Sequence, residues 1–535
     1  MTTQRGWQRL LSPPSVLVAL AVTIAFSFQG SRGLYETTEG RYAEAAREMI
    51  ETGDWLVPQL DYHPHWSKPP LAYWAVAGGM LVFGQNEWGA RASSGVAHVL
   101  VVLAVLWLGT AMWGRATGLV ASLVYATAPL AIVAASGVST DPILALWEAL
   151  AALAYWRAIE ASRARQGAGA SDVSPSGRPA LWVILFWLFA GLGFITKGPP
   201  SLLTPLVAFV HHGFLRVKRA PRPALYSVTG LAVFAVVGLS WYLLVVGRES
   251  GLMGRLVREE VVGRIFSPSF RRNPQWYMPF AIIIVPFALG VGQWVAFWPG
   301  IWRAWRKRLP GHGWARRLAQ SSPVLFCLLW IAIPLVILSV SRSRLTLYVV
   351  PFLPALALLT GRGIVRRAGD TRAWRVSLRI ALASAFVLVA LKGVAAHAPV
   401  SSDIRPVAAL VRERLEAGTP AYGYGLEQEY GLMFYLDGRM VRVSQEPGQS
   451  WARLDGAALV SELSRPGRDG PSCLVARSAA RKLEGLLDGA GLRYWRKDVN
   501  GYAVFSVAAF PGSAPRPQQT KRPALQARGA RNRSD

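Results

Sequence analysis

Between Leu34 and Arg91 the chain holds a density of Glu, Asp, Arg, Lys, His and Trp that its apolar flanks lack. Glu39 and Arg41 open an amphipathic pattern over 38–52. Tyr42, Ala45, Ala46, Met49 and Ile50 form an apolar stripe at helical spacing, and Glu44, Arg47, Glu48 and Glu51 take the opposite face. Such a helix is expected along a membrane interface with those charges solvated. Glu39 and Arg41, at its start, can point toward the membrane instead. Lys68 follows in SKPPLAYW, where two prolines stiffen the backbone and block helix continuation. A lysine held this way serves as a point charge for a phosphate; the plainer reading is a lysine snorkelling to lipid headgroups. Tyr73 of the same motif joins the candidate substrate-binding residues.

More charge stands at the ends of later apolar runs. Asp141, in SGVSTDPILALW, reads as a helix cap with Thr140 before Pro142 or as a functional acid, and the two roles are compatible. Lys197 lies in FITKGPP, and Arg342 and Arg344 in SVSRSRLTLYVVP. Glu148, on the face of Asp141, is either functional or an interhelical hydrogen-bonding group. Arg41, Lys68, Lys197, Arg342 and Arg344 thus face Glu39 and Asp141. Cations of this number suit a lipid-linked phosphate. An acid among them suits deprotonation of an acceptor, or stabilisation of positive charge developing at a sugar carbon. A nucleotide site is not indicated: no GxGxxG follows a strand, no Asp-x-Asp is present, and Lys197 lacks the phosphate-loop spacing. His63 and His65 are weak candidates for a divalent metal, and no other cofactor is indicated.

The elements that must position these groups are membrane spans. The 535 residues are 52% hydrophobic and 16% charged, against roughly 25% charged in soluble domains, and the mean hydropathy is +0.29. The net charge of +28 does not indicate nucleic acid, because the basic residues sit in short clusters between apolar runs. Cys327 and Cys473 have no metal or redox spacing. Spans are expected at 13–29, 88–113, 116–135, 142–160, 180–196, 199–215, 225–246, 276–299, 321–340, 346–361 and 376–397, about eleven in all. The first, preceded by Arg5 and Arg9, also has the shape of a cleaved signal peptide. With the N-terminus in the cytoplasm, the Arg157–Arg178, Arg216–Arg222, Arg303–Arg308, Arg316–Arg317 and Arg362–Arg375 clusters lie inside. The opening block, Asp141, Lys197, residues 247–275 and Arg342/Arg344 then share the outer face. The expected organisation is a membrane domain over 1–397 with an outer catalytic loop at 34–87, a periplasmic α/β domain over 398–511, and a disordered basic tail over 512–535.

The series EGRYAEAAREMIETGDWLVPQL, KPPLAYW, FGQNEWGAR, STDPILAL, ITKGPPSLL, NPQWYMPF and SRSRLTLYVVPFLPALALL runs in order through residues 34–361. It closely resembles the bacterial 4-amino-4-deoxy-L-arabinose transferases of lipid A, which are related to the dolichyl-phosphate-mannose protein mannosyltransferases. The resemblance implies a GT-C membrane fold, a polyprenyl-phosphate sugar donor, and inverting transfer on the outer face of the bacterial inner membrane. By motif position, Lys68 and Arg41 would bind donor phosphate, Lys197 and Arg344 would add cationic contacts, and Asp141 matches an active-site acid. Two positions depart from the pattern. Thr38 stands where the family has Asp, leaving Glu39 or Glu36 as substitutes. Ser67 replaces a Glu associated with metal binding. The reading is a monomeric glycosyltransferase acting on lipid A or another envelope glycolipid. The alternatives are protein O-glycosylation, which needs a base for its hydroxyl acceptor, a lipid-linked sugar flippase, or an inactive relative.

Overall fold

The computed structural model describes residues 12–167, 178–217, 222–249, 251–255, 273–306, 322–341, 343–416, 419–465 and 471–508. Two compact units divide between Asp403 and Ile404. The first unit is helical. Helix α1 covers Pro13–Phe26, α2 Thr38–Thr52, α3 Leu71–Phe83, α4 Glu87–Trp113, α5 Arg115–Ala126, α6 Pro129–Ala135, α7 Thr140–Gly167, α8 Pro179–Lys197 and α9 Leu203–Val217. Beyond these come α10 (Val228–Arg248), α11 (Pro279–Leu289), α12 (Gly292–Arg303), α13 (Ser322–Val340), α14 (Thr346–Ala368) and α15 (Asp370–His397).

A helix stands at each expected span, but the count of eleven does not carry over. Among the described residues, seven helices are long and apolar enough to cross a membrane, or nine if each bent pair is one span. Helix α1 has 14 residues and α9 has 15, short of the roughly 20 a bilayer asks for. The α5–α6 pair bends by 61° and the α11–α12 pair by 81°. Pro129 opens α6 where no amide is needed, and Gly292 adopts φ +57 at the other break. The breaks meet: the Leu130 amide donates to the Gly290 carbonyl (3.3 Å), and the Trp294 indole donates to Thr127 Oγ1 (2.9 Å). Backbone freed by bending is thus satisfied inside the protein, as lipid requires.

Two further ties cross the apolar core. Tyr155 of α7 hydrogen-bonds His211 of α9 (2.9 Å), and Thr204 of α9 donates to Glu148 of α7. Glu148 is therefore engaged in the interhelical hydrogen bond that was one of its two sequence readings.

The second unit is a small α/β sandwich. Its strands are β3 (Ala421–Tyr424), β4 (Met440–Ser444), β5 (Leu454–Asp455), β6 (Ser472–Ala476), β7 (Tyr494–Val499) and β8 (Tyr502–Val507), numbered after a short hairpin β1 (Gln59–Leu60) and β2 (His63–Pro64) in the first unit. The sheet order is β5-β4-β3-β6-β8-β7. The first four strands are parallel, and β8 and β7 are antiparallel. Strand β6 is buried along its whole length, as a central strand covered on both faces should be. Cys473 on this strand and Cys327 in α13 are both buried and unbridged.

Candidate active site

The first loop is built around helix α2, and its start is fixed by Glu39. This carboxylate is buried, with 6% of the residue exposed. Oε2 accepts from Arg32 (2.6 Å), Arg91 (2.9 Å) and the Tyr35 amide (2.9 Å). Oε1 accepts from Arg91 Nε (3.0 Å), Arg32 (3.2 Å) and the Val138 amide (3.1 Å). Burial works to raise its pKa, but the charges and hydrogen bonds of Arg91 and then Arg32 outweigh that and hold it down to about 2. With both oxygens fully used, Glu39 is a structural anchor. A carboxylate held this far down is a poor proton acceptor, which weighs against the expected role as a base.

Arg91 is the larger surprise, since the sequence reading gave it no role. It is completely buried and also donates to the carbonyls of Gln29 (2.7 Å), Arg32 (3.0 Å) and Gly33 (2.7 Å). Asn86 caps α4 by accepting from the Gly89 amide (2.9 Å), which places Arg91 on the second turn, facing back to the loop. A cation just inside an apolar span needs an acid partner, and that was the available signal.

The far face of α2 also departs from expectation. Glu44, Arg47 and Glu48 were expected to be solvated, yet all three are buried. Arg47 pairs bidentately with Glu44 (2.8 and 2.9 Å) and reaches the exposed Glu51 (2.5 Å). Glu48 accepts from the amides of Asp61 (2.7 Å) and Tyr62 (3.0 Å). Those two residues turn the β1–β2 hairpin with φ of +55 and +59, the pair of left-handed conformations that a two-residue hairpin asks for and that normally favours Asn-Gly. Glu48 clamps both amides. Burial and the Glu44 charge push Glu48 up to about 8, against the pull of the two amides.

Arg41, two residues after the anchor, has the opposite character. Its Nε is buried with no hydrogen-bond partner among the described residues, and its guanidinium lies 5.7 Å from the Tyr42 ring. The charges of Arg41 and Lys68 both act on His65, so both cations lie within electrostatic reach of it. Lys68 is half-buried and donates to the Ser67 carbonyl (2.6 Å). Pro69 and Pro70 follow it and lead into α3. Burial, reinforced by Arg41 and Lys68, drives His65 down to about 3, and its Nε2 shares a hydrogen bond with Ser67 Oγ (2.6 Å). His63 is exposed on β2. Among the described residues no group of three His, Cys, Asp or Glu side chains gathers.

Asp141 of α7 and Lys197 of α8 form a buried ion pair whose charges, like that of Arg41, reach Tyr42. Lys197 sits 4.5 Å from the centre of the Tyr348 ring. It is the last residue of α8, which ends because Gly198 takes φ +75. The Asp141 amide donates to Ser139 Oγ (3.3 Å), and its carboxylate goes to Lys197 rather than to its own helix. Tyr73 is fully buried and packs 5.2 Å from Tyr42, a support under the site. Arg344 is buried and donates to the carbonyls of Asn273 (2.9 Å) and Ser339 (2.9 Å), which fastens two segments, while its Nε, like that of Arg41, is buried with no hydrogen-bond partner among the described residues. Glu36 is half-buried, and its amide donates to Ser402 O (3.4 Å). Arg342 and the 512–535 tail lie outside the described residues.

This helical unit, with its charged first loop closing over broken spans, defines a multi-pass membrane protein with the GT-C fold. The match with the crystal structure of ArnT from Cupriavidus metallidurans bound to undecaprenyl phosphate has a TM-score of 0.71 at 21% identity, covering 96% of this chain and 99% of that one. The oligosaccharyltransferase AglB from Archaeoglobus fulgidus, in complex with an inhibitory peptide and a dolichol-phosphate, matches at TM-score 0.56 and 13% identity, over 95% of this chain and 75% of that one.

In sequence, residues 18–249 match the dolichyl-phosphate-mannose-protein mannosyltransferase family. The undecaprenyl phosphate-alpha-4-amino-4-deoxy-L-arabinose arabinosyl transferase of Pseudomonas aeruginosa is 29% identical over 370 residues, 69% of this chain and 61% of that protein. Its Yersinia pestis counterpart is 27% identical over 350 residues, 64% of this chain and 58% of that protein. The chain thus spans about three fifths of the length of the curated relatives it matches. It is similar to these transferases, as the motif series indicated.

Proposed function

We propose that the chain is an inverting glycosyltransferase that takes a sugar from an undecaprenyl-phosphate carrier. It passes that sugar to a phosphate of lipid A, or of a comparable envelope glycolipid, on the periplasmic face of the bacterial inner membrane. The observation that carries this reading is Arg41: a guanidinium whose buried Nε has no hydrogen-bond partner among the described residues, with its charge and that of Lys68 both felt at His65. A buried donor without a partner is costly, and an incoming phosphate oxygen would satisfy it with a charge-assisted hydrogen bond. The names of the relatives support the donor and the sugar class.

In this mechanism Arg41 and Lys68 hold the carrier phosphate, the leaving group, and stabilise the charge it gains as the bond to the sugar carbon breaks. Lys197, oriented by Asp141 and Tyr348, adds positive potential from the side of Tyr42. The acceptor oxygen attacks from the opposite face of the sugar, which inverts the anomeric centre. Neither Glu39, with six donors on its oxygens, nor Asp141, paired to Lys197, is set up to take a proton. An acceptor phosphate is already anionic and needs no base, whereas a serine or threonine hydroxyl does. This favours a phosphorylated glycolipid over a protein acceptor, and it makes Thr38 in place of an acid tolerable.

Mass spectrometry of envelope lipids and glycoproteins from a deletion strain tests the proposal. The expected result is loss of one sugar mass from a phosphorylated lipid pool, restored by the wild-type chain and not by Arg41→Ala. A changed glycoprotein pool with unchanged lipids would move the acceptor to protein. No change in either pool would contradict transferase function.

A further inference from the structure

At the end of the bundle away from Arg41, a cavity of about 420 Å³ opens between α12, α13 and α14. The distance follows from α14 itself. Tyr348, which Lys197 overlies, stands near its start, and Arg366 follows 18 residues later, roughly 27 Å along a helix axis. The cavity therefore lies near the opposite membrane surface, among basic clusters that donor binding does not use.

Its walls have two characters. Trp298, Ile301, Val324, Leu328 and Leu359 form an apolar lining, and Arg362, Arg366 and Arg367 complete it. Arg366 and Arg367 are exposed and Arg362 is half-buried. None of the three forms an ion pair with a described residue. Arg362 lies 5.9 Å from the Trp113 ring, and Asp370 is the acid whose charge reaches it. The wall is preorganised: Trp298 donates from its indole to Thr360 Oγ1 (3.1 Å), tying α12 to α14. Gly300 has no side chain where the Arg367 guanidinium approaches the helix. Trp302, 56% exposed, stands at the edge. Among the described residues no acidic side chain lines the cavity.

From this we infer that the groove is a binding site for an anionic glycerophospholipid, with an acyl chain along the apolar wall and the headgroup phosphate on the arginine trio. Three factors select that occupant. The apolar wall excludes a soluble phosphate as the whole ligand. The arginines disfavour a zwitterionic headgroup, whose ammonium they repel. The position at the basic end of a helical bundle is where anionic lipids concentrate and where basic pockets between spans take up phosphate headgroups. This inference is independent of transfer activity.

Native mass spectrometry of the full chain in detergent, titrated with phosphatidylglycerol or with phosphatidylcholine, tests it. Phosphatidylglycerol should bind at least ~10-fold more tightly, because both lipids offer a phosphodiester and only phosphatidylcholine adds the ammonium that the arginines repel. Combined Arg362→Gln, Arg366→Gln and Arg367→Gln should remove that preference, and the corresponding Lys variants, which keep the charge, should retain most of it. Leu328→Trp, which fills the apolar wall and leaves the arginines, should weaken phosphatidylglycerol as well. Equal affinity for the two lipids, or a preference untouched by the Gln and Trp variants, overturns the site. Competition by free glycerol phosphate as effective as by the lipid would also overturn it, because the ligand would then be a soluble anion.

Discussion

Glu39 and Arg41 sit two residues apart on one helix and are handled in opposite ways. Glu39 receives six hydrogen bonds from two arginines and two amides. Arg41 has a buried Nε with no hydrogen-bond partner among the described residues. The first position spends its charge on holding the loop against α4 and the Val138 segment. In the proposed mechanism the second keeps its charge available for a ligand. Holding and binding are thus assigned to neighbouring residues of opposite sign, and each assignment can be broken separately.

The largest effect is expected at the anchor. Glu39→Ala leaves Arg91 buried and without its counter-ion, which costs about 3–5 kcal/mol. A lower unfolding temperature and poor membrane yield should report it. If Glu39→Ala unfolds normally and loses only turnover, Glu39 is a base and the comparison collapses. Next is Arg41→Ala. It should cut transfer by ~10²–10³-fold, as loss of a transition-state donor does, with no change in unfolding temperature. A matching fall in stability would show that Arg41 is a structural residue too.

Asp141→Asn should be milder, about tenfold, because the Lys197 charge persists while its orientation loosens. A loss of 10³-fold or more, with a pH–rate profile that loses its acidic limb, would restore Asp141 as a general base.

The smallest effect concerns Glu48. Its folded pKa, about 8, lies above its ordinary value of 4.5. Between those values the folded state holds a proton that the unfolded state has released, so its contribution to stability falls as pH rises from about 4.5 to about 8. Below 4.5 that contribution is fully present. Glu48→Gln should flatten this part of the stability-versus-pH curve. An equally steep curve in the variant would place the proton elsewhere.

The sequence was most legible where the physics is local. Long apolar runs put α4, α7, α8 and α10–α15 close to their observed places, but each of the two runs that bend read as a single span. The motif series carried the fold and picked out Arg41 and Lys68. Periodicity went further than it should have on α2. It shows which residues share a helix face, but not what covers that face. The β1–β2 hairpin covers Glu48 through two amides, so a face that looks solvated is buried. The ion pairs were hidden for a related reason. Arg91 lies 52 residues from Glu39, and Lys197 lies 56 residues from Asp141. Each was visible alone as a charge at a span end, and nothing local paired them. Arg344 has a structural tie that the sequence did not show: it donates to the carbonyls of Asn273 and Ser339.

The most direct test of the division between holding and binding is equilibrium binding of undecaprenyl phosphate to the full chain in detergent, comparing wild type, Arg41→Ala and Glu39→Gln. Arg41→Ala should bind at least ~10-fold more weakly at an unchanged unfolding temperature. Glu39→Gln should unfold at a lower temperature, and the fraction still folded should bind nearly as the wild type does. Wild-type affinity in Arg41→Ala, or loss of affinity confined to a fully stable Glu39→Gln, would contradict the account.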